Sequence, residues 1–66
     1  MLTRDEENII QIKVAYARML KRTFEVEVRG IVLPVTPHST LNTLRDTWAY
    51  LAVRRARMAA EEAGMI

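Results

Sequence analysis

The residues best suited to chemistry lie near the end of the chain, in the stretch AVRRARMAAEEA at residues 52–63. It sets three arginines among alanines and follows them at once with two glutamates. Arginine binds phosphate and carboxylate groups through a rigid fork of N–H donors. This stretch could therefore contact nucleic acid, bind a partner protein, or simply form a well-solvated helix end.

No other group of residues predicts catalysis. The one histidine, His38, lies in a proline-flanked loop with no carboxylate at a suggestive spacing. Asp5, Glu6 and Glu7 are explained by the first turn of a helix, where the helix dipole favours acidic side chains. The chain has no glycine-rich phosphate loop and no nucleophile paired with a base. We therefore expect a non-enzymatic protein without a cofactor, a bound metal or a small-molecule substrate.

Size and composition predict a single small domain over residues 1–66. A chain of 66 residues has only a marginal core, and this one has no cysteine to form disulfides. Oligomerisation or docking onto a larger body is the reinforcement that remains. Half of the residues are hydrophobic, yet no apolar run approaches the roughly 20 residues that span a bilayer. The acidic N-terminal stretch differs from a signal peptide, so we expect a soluble cytoplasmic protein without membrane contact.

The first element is predicted to be a helix over residues 4–22. Thr3 and Glu6 have the spacing of a capping box, and cations follow in the last turn. The stronger of two apolar stripes at helical spacing consists of Ile9, Ile12, Tyr16, Met19 and Leu20. A weaker stripe, about a quarter-turn away, consists of Ile10, Val14 and Ala17. Either both stripes form one broad core face, or the weaker stripe is a separate surface for a neighbouring subunit.

Residues 23–36 change to the period of a β-strand and predict a hairpin. Apolar and charged residues alternate in FEVEVR, which indicates a strand with one solvated face. Arg29-Gly30 fits a two-residue turn, because glycine tolerates the positive φ that such turns require. The facing pairs are then Val28 with Ile31, Val26 with Leu33, and Phe24 with Val35, all on one side. A two-stranded sheet of this kind needs helices on its apolar face.

The second helix is predicted over residues 39–63. Thr36, Ser39 and Thr40 can each cap it, and the sequence does not distinguish among them. Its apolar stripe consists of Leu41, Leu44, Trp48 and Leu51. The chain is therefore predicted to be α+β in the order α-β-β-α, with two antiparallel helices packed on a two-stranded antiparallel hairpin.

This helix is predicted to extend beyond the hydrophobic core of the domain from about Ala52 onward. The next residue on its apolar stripe is Arg55, and charged residues seldom lie in a core unless they are paired. We expect Arg55 to pair with an acid on a neighbouring chain, whereas Arg54 and Arg57 share a solvated face with Glu61. Beside Arg55 runs a seam of alanines, which could admit another helix or could simply favour helix formation. The residues predicted to contact a partner are Ile10, Val14, Tyr50, Val53, Arg55, Ala56 and Ala59.

Several local sequences together resemble the phage head–tail joining proteins of the lambda W type. They are TRDEE from Thr3, MLKR at the end of the first helix, a hairpin with Gly30, and Thr36 with Ser39 leading to a leucine-bearing helix. The likeness covers residues 3–53. The resemblance implies a monomer that folds alone and docks as a ring of copies beneath the portal, in the host cytoplasm and then in the virion. The family has no catalytic residues, and this chain differs from it by a shorter, more apolar hairpin and a longer second helix.

The leading functional hypothesis is a small phage structural adaptor that acts through protein–protein contacts in a multi-copy assembly. The alternative is a nucleic-acid-binding or regulatory protein, which the net charge of +2 permits without requiring it. Its phosphate contacts would come from Arg55 together with Lys13, Lys21, Arg22, Arg54 and Arg57. A phage-encoded inhibitor of a host protein would need only an exposed patch, and the sequence does not separate it from the adaptor.

Overall fold

The chain forms two helices and one hairpin in the order α-β-β-α, which confirms the predicted α+β fold. The computed structural model describes residues 1–64, so residues 65–66 of the predicted domain lie outside the described part. The elements are helix α1 (Arg4–Leu20), strand β1 (Phe24–Val28), strand β2 (Ile31–Val35) and helix α2 (Leu41–Glu62). Both helices pack against the hairpin and contact each other.

Helix α1 begins at the predicted capping box. The N–H of Glu6 donates to the Thr3 hydroxyl over 3.2 Å, and the N–H of Thr3 donates to the Glu6 carboxylate over 2.8 Å. These bonds satisfy N–H groups that have no partner within the helix. The helix ends at Leu20 rather than at residue 22, because Lys21 takes the left-handed conformation with φ 53° and turns the chain toward the hairpin.

The hairpin has the predicted register. The facing pairs on its inner side are Phe24 with Val35, Val26 with Leu33, and Val28 with Ile31. Between the strands, Arg29 and Gly30 have φ angles of 52° and 79°, the two positive values that a tight type I′ turn requires. The intervening residues of both strands are exposed, so the hairpin offers a single apolar face to the helices.

Thr40 is the residue that caps helix α2. Its hydroxyl accepts from the N–H of Thr43 over 3.2 Å, and the Thr43 hydroxyl accepts from the N–H of Thr40 over 3.0 Å. The other two candidates bond to each other instead, since the N–H of Thr36 donates to the Ser39 hydroxyl over 2.9 Å. The helix therefore begins at Leu41, two residues later than predicted.

The two helices run antiparallel, as predicted. Near the start of α1, Glu7 accepts from Nε of Arg45 over 2.8 Å. Near its end, Arg18 donates to the carbonyl oxygen of Ser39 over 3.2 Å. Because α2 follows Ser39 directly, the start of α2 lies beside the end of α1.

The core lies between the inner face of the hairpin and the two helices. Trp48 is buried there, and its indole N–H donates to the carbonyl oxygen of Val28 over 3.1 Å. Burial of this large ring therefore leaves its polar atom paired. Within residues 1–64 no polar or charged residue is buried. The core residues are Leu2, Ile10, Val14, Ala17, Val26, Val28, Ile31, Leu33, Val35, Leu44 and Trp48.

Gly30→Ala should lower the free energy of unfolding by about 1 kcal/mol or more, because an alanine at positive φ is strained. Its Cβ would also lie 2.8 Å from Nη1 of Arg55. Gly64→Ala is the control, because Gly64 also has a positive φ but a Cβ there meets nothing within 4 Å. Urea unfolding of both variants measures the difference. Because both glycines have a positive φ, a larger loss for Gly30→Ala measures the contact with Arg55, and equal losses would contradict a contribution from that contact.

Candidate interaction surfaces

The buried side of helix α1 is the weaker of the two predicted stripes. Ile10 and Ala17 are 0% exposed and Val14 is 7% exposed. All three pack in the core with the hairpin and α2. The prediction that Ile10 and Val14 contact a partner protein is therefore wrong, because the chain's own core covers them.

The stronger predicted stripe of α1 faces solvent instead. We call it the α1 stripe, and it consists of Ile9, Ile12, Tyr16, Met19 and Leu20. These side chains are 48–71% exposed, so the prediction that they form the core face is also wrong. Within the part of the chain that the structure describes, roughly half or more of the surface of each of these residues is left in solvent. The smaller stripe is therefore the buried one, and the larger stripe is the exposed one.

Side-chain chemistry is compatible with the burial of the smaller stripe but does not decide it, because Ile9, Ile12 and Leu20 of the exposed stripe also lack polar side-chain atoms. Ile10, Val14 and Ala17 carry no polar side-chain atom, so they can be buried beside the hairpin without a hydrogen-bond partner. Tyr16 would bring a hydroxyl into the core, and a buried tyrosine hydroxyl usually needs a partner. Ala17 also lets the helix backbone approach the neighbouring elements closely.

Helix α2 leaves the core at the predicted place. Ala52 is the last residue of α2 that packs against the core. The remaining residues of the helix, 53–62, are exposed except for the half-buried Ala60, and we call them the overhang. At 1.5 Å per residue the overhang is roughly 15 Å long. Tyr50 and Val53 are each 64% exposed, which confirms their surface position but leaves their contact with a partner a prediction.

Two further predictions concern the overhang. Ala56 and Ala59 are exposed, and their contact with a partner stays a prediction. Arg54, Arg57 and Glu61 are exposed, as predicted for a solvated face. Arg57 forms no salt bridge with Glu61, because the salt bridges of residues 1–64 are those of Arg29 with Glu6 and Arg45 with Glu7.

Arg55 finds a partner inside the chain. Its Nη1 donates to the carbonyl oxygen of Arg29 over 3.1 Å, and the guanidinium lies against Gly30. The acid expected from a neighbouring chain is therefore replaced by the backbone of the hairpin turn. The hydrogen bond between Arg55 and the Arg29 backbone could not be predicted from the sequence, because the two residues are 26 positions apart in the chain.

Arg29 joins the tip of the hairpin to both helices. Its Nε and Nη2 donate to the two carboxylate oxygens of Glu6 over 2.8 and 2.6 Å, and Nη2 also donates to the carbonyl oxygen of Met1. The guanidinium carbon lies 5.1 Å from the ring centroid of Trp48. Sequence analysis identified Arg29 only as a turn residue and missed these contacts.

The same contact shifts two pKa values. The hydrogen bonds from Arg29, followed by the one from the backbone of Thr3, lower the pKa of Glu6 to about 2. The Glu6 carboxylate in turn raises the pKa of Arg29. Both groups therefore stay charged across the physiological range.

The cations predicted to meet phosphates are divided between the two ends of the hairpin. Lys13, Lys21 and Arg22 lie near its first residue, and two of them lie over the ring of Phe24, at 5.8 and 5.9 Å from its centroid. The arginines of the overhang lie at the turn and beyond it. A duplex-binding domain concentrates its positive charge on one face. This arrangement does not favour the nucleic-acid alternative.

Comparisons with protein-family models, curated proteins and solved structures find no match to this chain. No helix within residues 1–64 is long and apolar enough to cross a bilayer. In the same residues no group of three or more acidic, histidine or cysteine side chains could hold a metal ion. His38 is exposed in the loop before α2. The exposed surfaces of the helices are therefore the basis for inferring a function.

Ile10→Ala and Ile9→Ala are a matched pair that separates the two sides of α1. Ile10→Ala should lower the free energy of unfolding by about 2–5 kcal/mol, because it leaves a cavity in the core. Ile9→Ala should cost less than about 1 kcal/mol, because the side chain is already 50% exposed. Urea unfolding followed by the fluorescence of Trp48 measures both values. Equal losses in the free energy of unfolding would contradict the assignment of Ile10 to the buried side of α1 and of Ile9 to its exposed side.

Glu6→Gln should flatten the acid side of the stability profile. Folding lowers the pKa of Glu6 from 4.5 to about 2. The stability that its carboxylate contributes is therefore present above pH 4.5 and is lost as the pH falls through about 2. Glutamine does not titrate, so the variant should take up about one proton fewer on unfolding in that window.

Thermal unfolding of the wild type and Glu6→Gln between pH 7 and pH 2 checks this expectation. Asp5→Asn is the control, because Asp5 lies in the same turn but forms none of the salt bridges of residues 1–64. Profiles of the same shape for wild type and Glu6→Gln would contradict the role of the Arg29 contact.

Proposed function

We propose that this chain is a non-enzymatic structural adaptor that docks onto other proteins through the α1 stripe. The observation that carries the proposal is the exposure of five large apolar side chains along one helix face. Single exposed apolar residues are common, but a contiguous set marks an interaction surface.

The spacing of the α1 stripe favours a helix as its partner. Ile9, Ile12, Tyr16 and Met19 follow one another at intervals of three, four and three residues. This is the spacing of the seam between two packed helices. Covering the exposed half of the five side chains would contribute about 4–7 kcal/mol before the cost of association. That amount is comparable with the whole stability of a small domain.

Within this class we propose a phage head–tail joining protein of the lambda W type, which docks in several copies on the portal. The proposal is supported by the α-β-β-α order and by the capping box, hairpin and second helix that carry the resemblance. The division of the cations favours protein over nucleic acid as the partner. The docking surface differs from the predicted one, because Ile10 and Val14 are buried and the α1 stripe takes their place.

Ile12→Asp combined with Tyr16→Asp should abolish binding to the portal protein encoded in the same genome. The reason is that two carboxylates would have to be desolvated at the centre of the α1 stripe. Native mass spectrometry and sedimentation of the mixture measure the complex, and circular dichroism checks that the fold is retained.

Gln11→Asp combined with Ala15→Asp is the matched control, because both residues are exposed on α1 outside the stripe. The control adds the same charge to the same helix and should bind as the wild type does. A wild-type chain that binds no portal protein, or a stripe variant that still binds, would overturn the proposal.

A further inference from the structure

We infer that the outer face of helix α2 pairs with the same face of a second copy of this chain, with the two helices antiparallel. The inference goes beyond the proposed function, since it concerns α2 and leaves the α1 stripe free. The face consists of Asp46, Tyr50, Val53 and Arg57, and we call it the α2 face.

Helical geometry places these four residues on one side of α2. They follow one another at intervals of four, three and four residues, which returns each to nearly the same direction. Leu44 and Trp48 of the same helix point into the core, whereas all four residues of the α2 face are exposed. Within residues 1–64, neither Asp46 nor Arg57 forms a salt bridge.

The order of charges along the α2 face makes it complementary to itself. An acid stands at one end, a base at the other, and two apolar residues lie between them. Asp46 and Arg57 are about 16 Å apart along the axis, too far to pair with each other. In an antiparallel pair, Asp46 of each copy lies opposite Arg57 of the other copy. Tyr50 of each copy likewise lies opposite Val53 of the other. A parallel copy would set like charges against each other, so charge selects the antiparallel orientation.

This pairing also covers the overhang. With Tyr50 opposite Val53 of the second copy, residues 53–62 of one chain lie along residues 41–50 of the other. The overhang therefore gains a neighbouring helix that its own chain does not supply. In this arrangement the exposed alanines Ala49 and Ala56 face each other across the pair, where their small size permits close approach.

The contact is a modest one. About 30 Å of paired helix is at the low end of interface sizes, so we expect a dissociation constant on the order of micromolar. Self-pairing departs from the monomer that the resemblance implies, and the oligomeric state of the chain in solution distinguishes the two.

Charge reversal tests the pairing. Asp46→Arg and Arg57→Asp should each weaken self-association about tenfold or more, because by two-fold symmetry each creates two repulsive contacts. The double variant restores opposite charges at both positions and should dimerise as the wild type does. A mixture of the two single variants should form a one-to-one heterodimer, although each alone is largely monomeric.

Sedimentation equilibrium measures the homodimers, and native mass spectrometry identifies the heterodimer. Ile12→Asp with Tyr16→Asp, which alters only the α1 stripe, should leave the dimer unchanged. A monomeric wild type at high micromolar concentration, a double variant that is not rescued, or loss of the dimer on altering the α1 stripe would overturn the inference. Portal binding is measured separately, so failure of the pairing would leave the proposed docking function standing, and the reverse also holds.

Discussion

A sheet of two strands is narrow, and this limits how much of each helix it can bury. The hairpin has one apolar face, and its two strands supply five of the eleven core residues. Helix α1 can therefore bury only one side against it, and the α1 stripe is left in solvent. Helix α2 is longer than the hairpin it packs on, so its last turns extend past the core. The exposure of the α1 stripe and that of the overhang therefore both follow from the small size of the two-stranded sheet.

The tip of the hairpin holds the two helices in place. Arg29 donates to the carboxylate of Glu6 at the start of α1, and Arg55 of α2 donates to the backbone of the turn. Trp48 donates a hydrogen bond to the carbonyl oxygen of Val28 at the end of β1, and its ring packs against the guanidinium of Arg29. A tight turn with two positive φ angles presents these groups to both helices at once. In a chain with a small core and no disulfide, this cluster links all the elements.

The two exposed surfaces differ in chemistry, and the difference assigns them to different partners. The α1 stripe carries only large apolar side chains and one tyrosine hydroxyl, which suits the apolar face of a helix on another protein. The α2 face has fewer apolar atoms and opposite charges at its ends. Charges of that kind contribute orientation and specificity more than affinity. A strong docking surface and a weak self-pairing surface on separate helices would let one chain both dock and assemble.

Short-range features of this protein follow from the sequence by itself. The capping box at Thr3, the turn at Arg29-Gly30 and the register of the strands each depend on residues close together in the chain or on strict alternation. The end of the core near Ala52 follows from the first charged residue on an apolar stripe. Only the tertiary structure decided which stripe of α1 is buried, because that depends on what packs against the helix. It also decided the partner of Arg55, because that contact joins residues 26 positions apart and exists only once the hairpin tip lies beside α2.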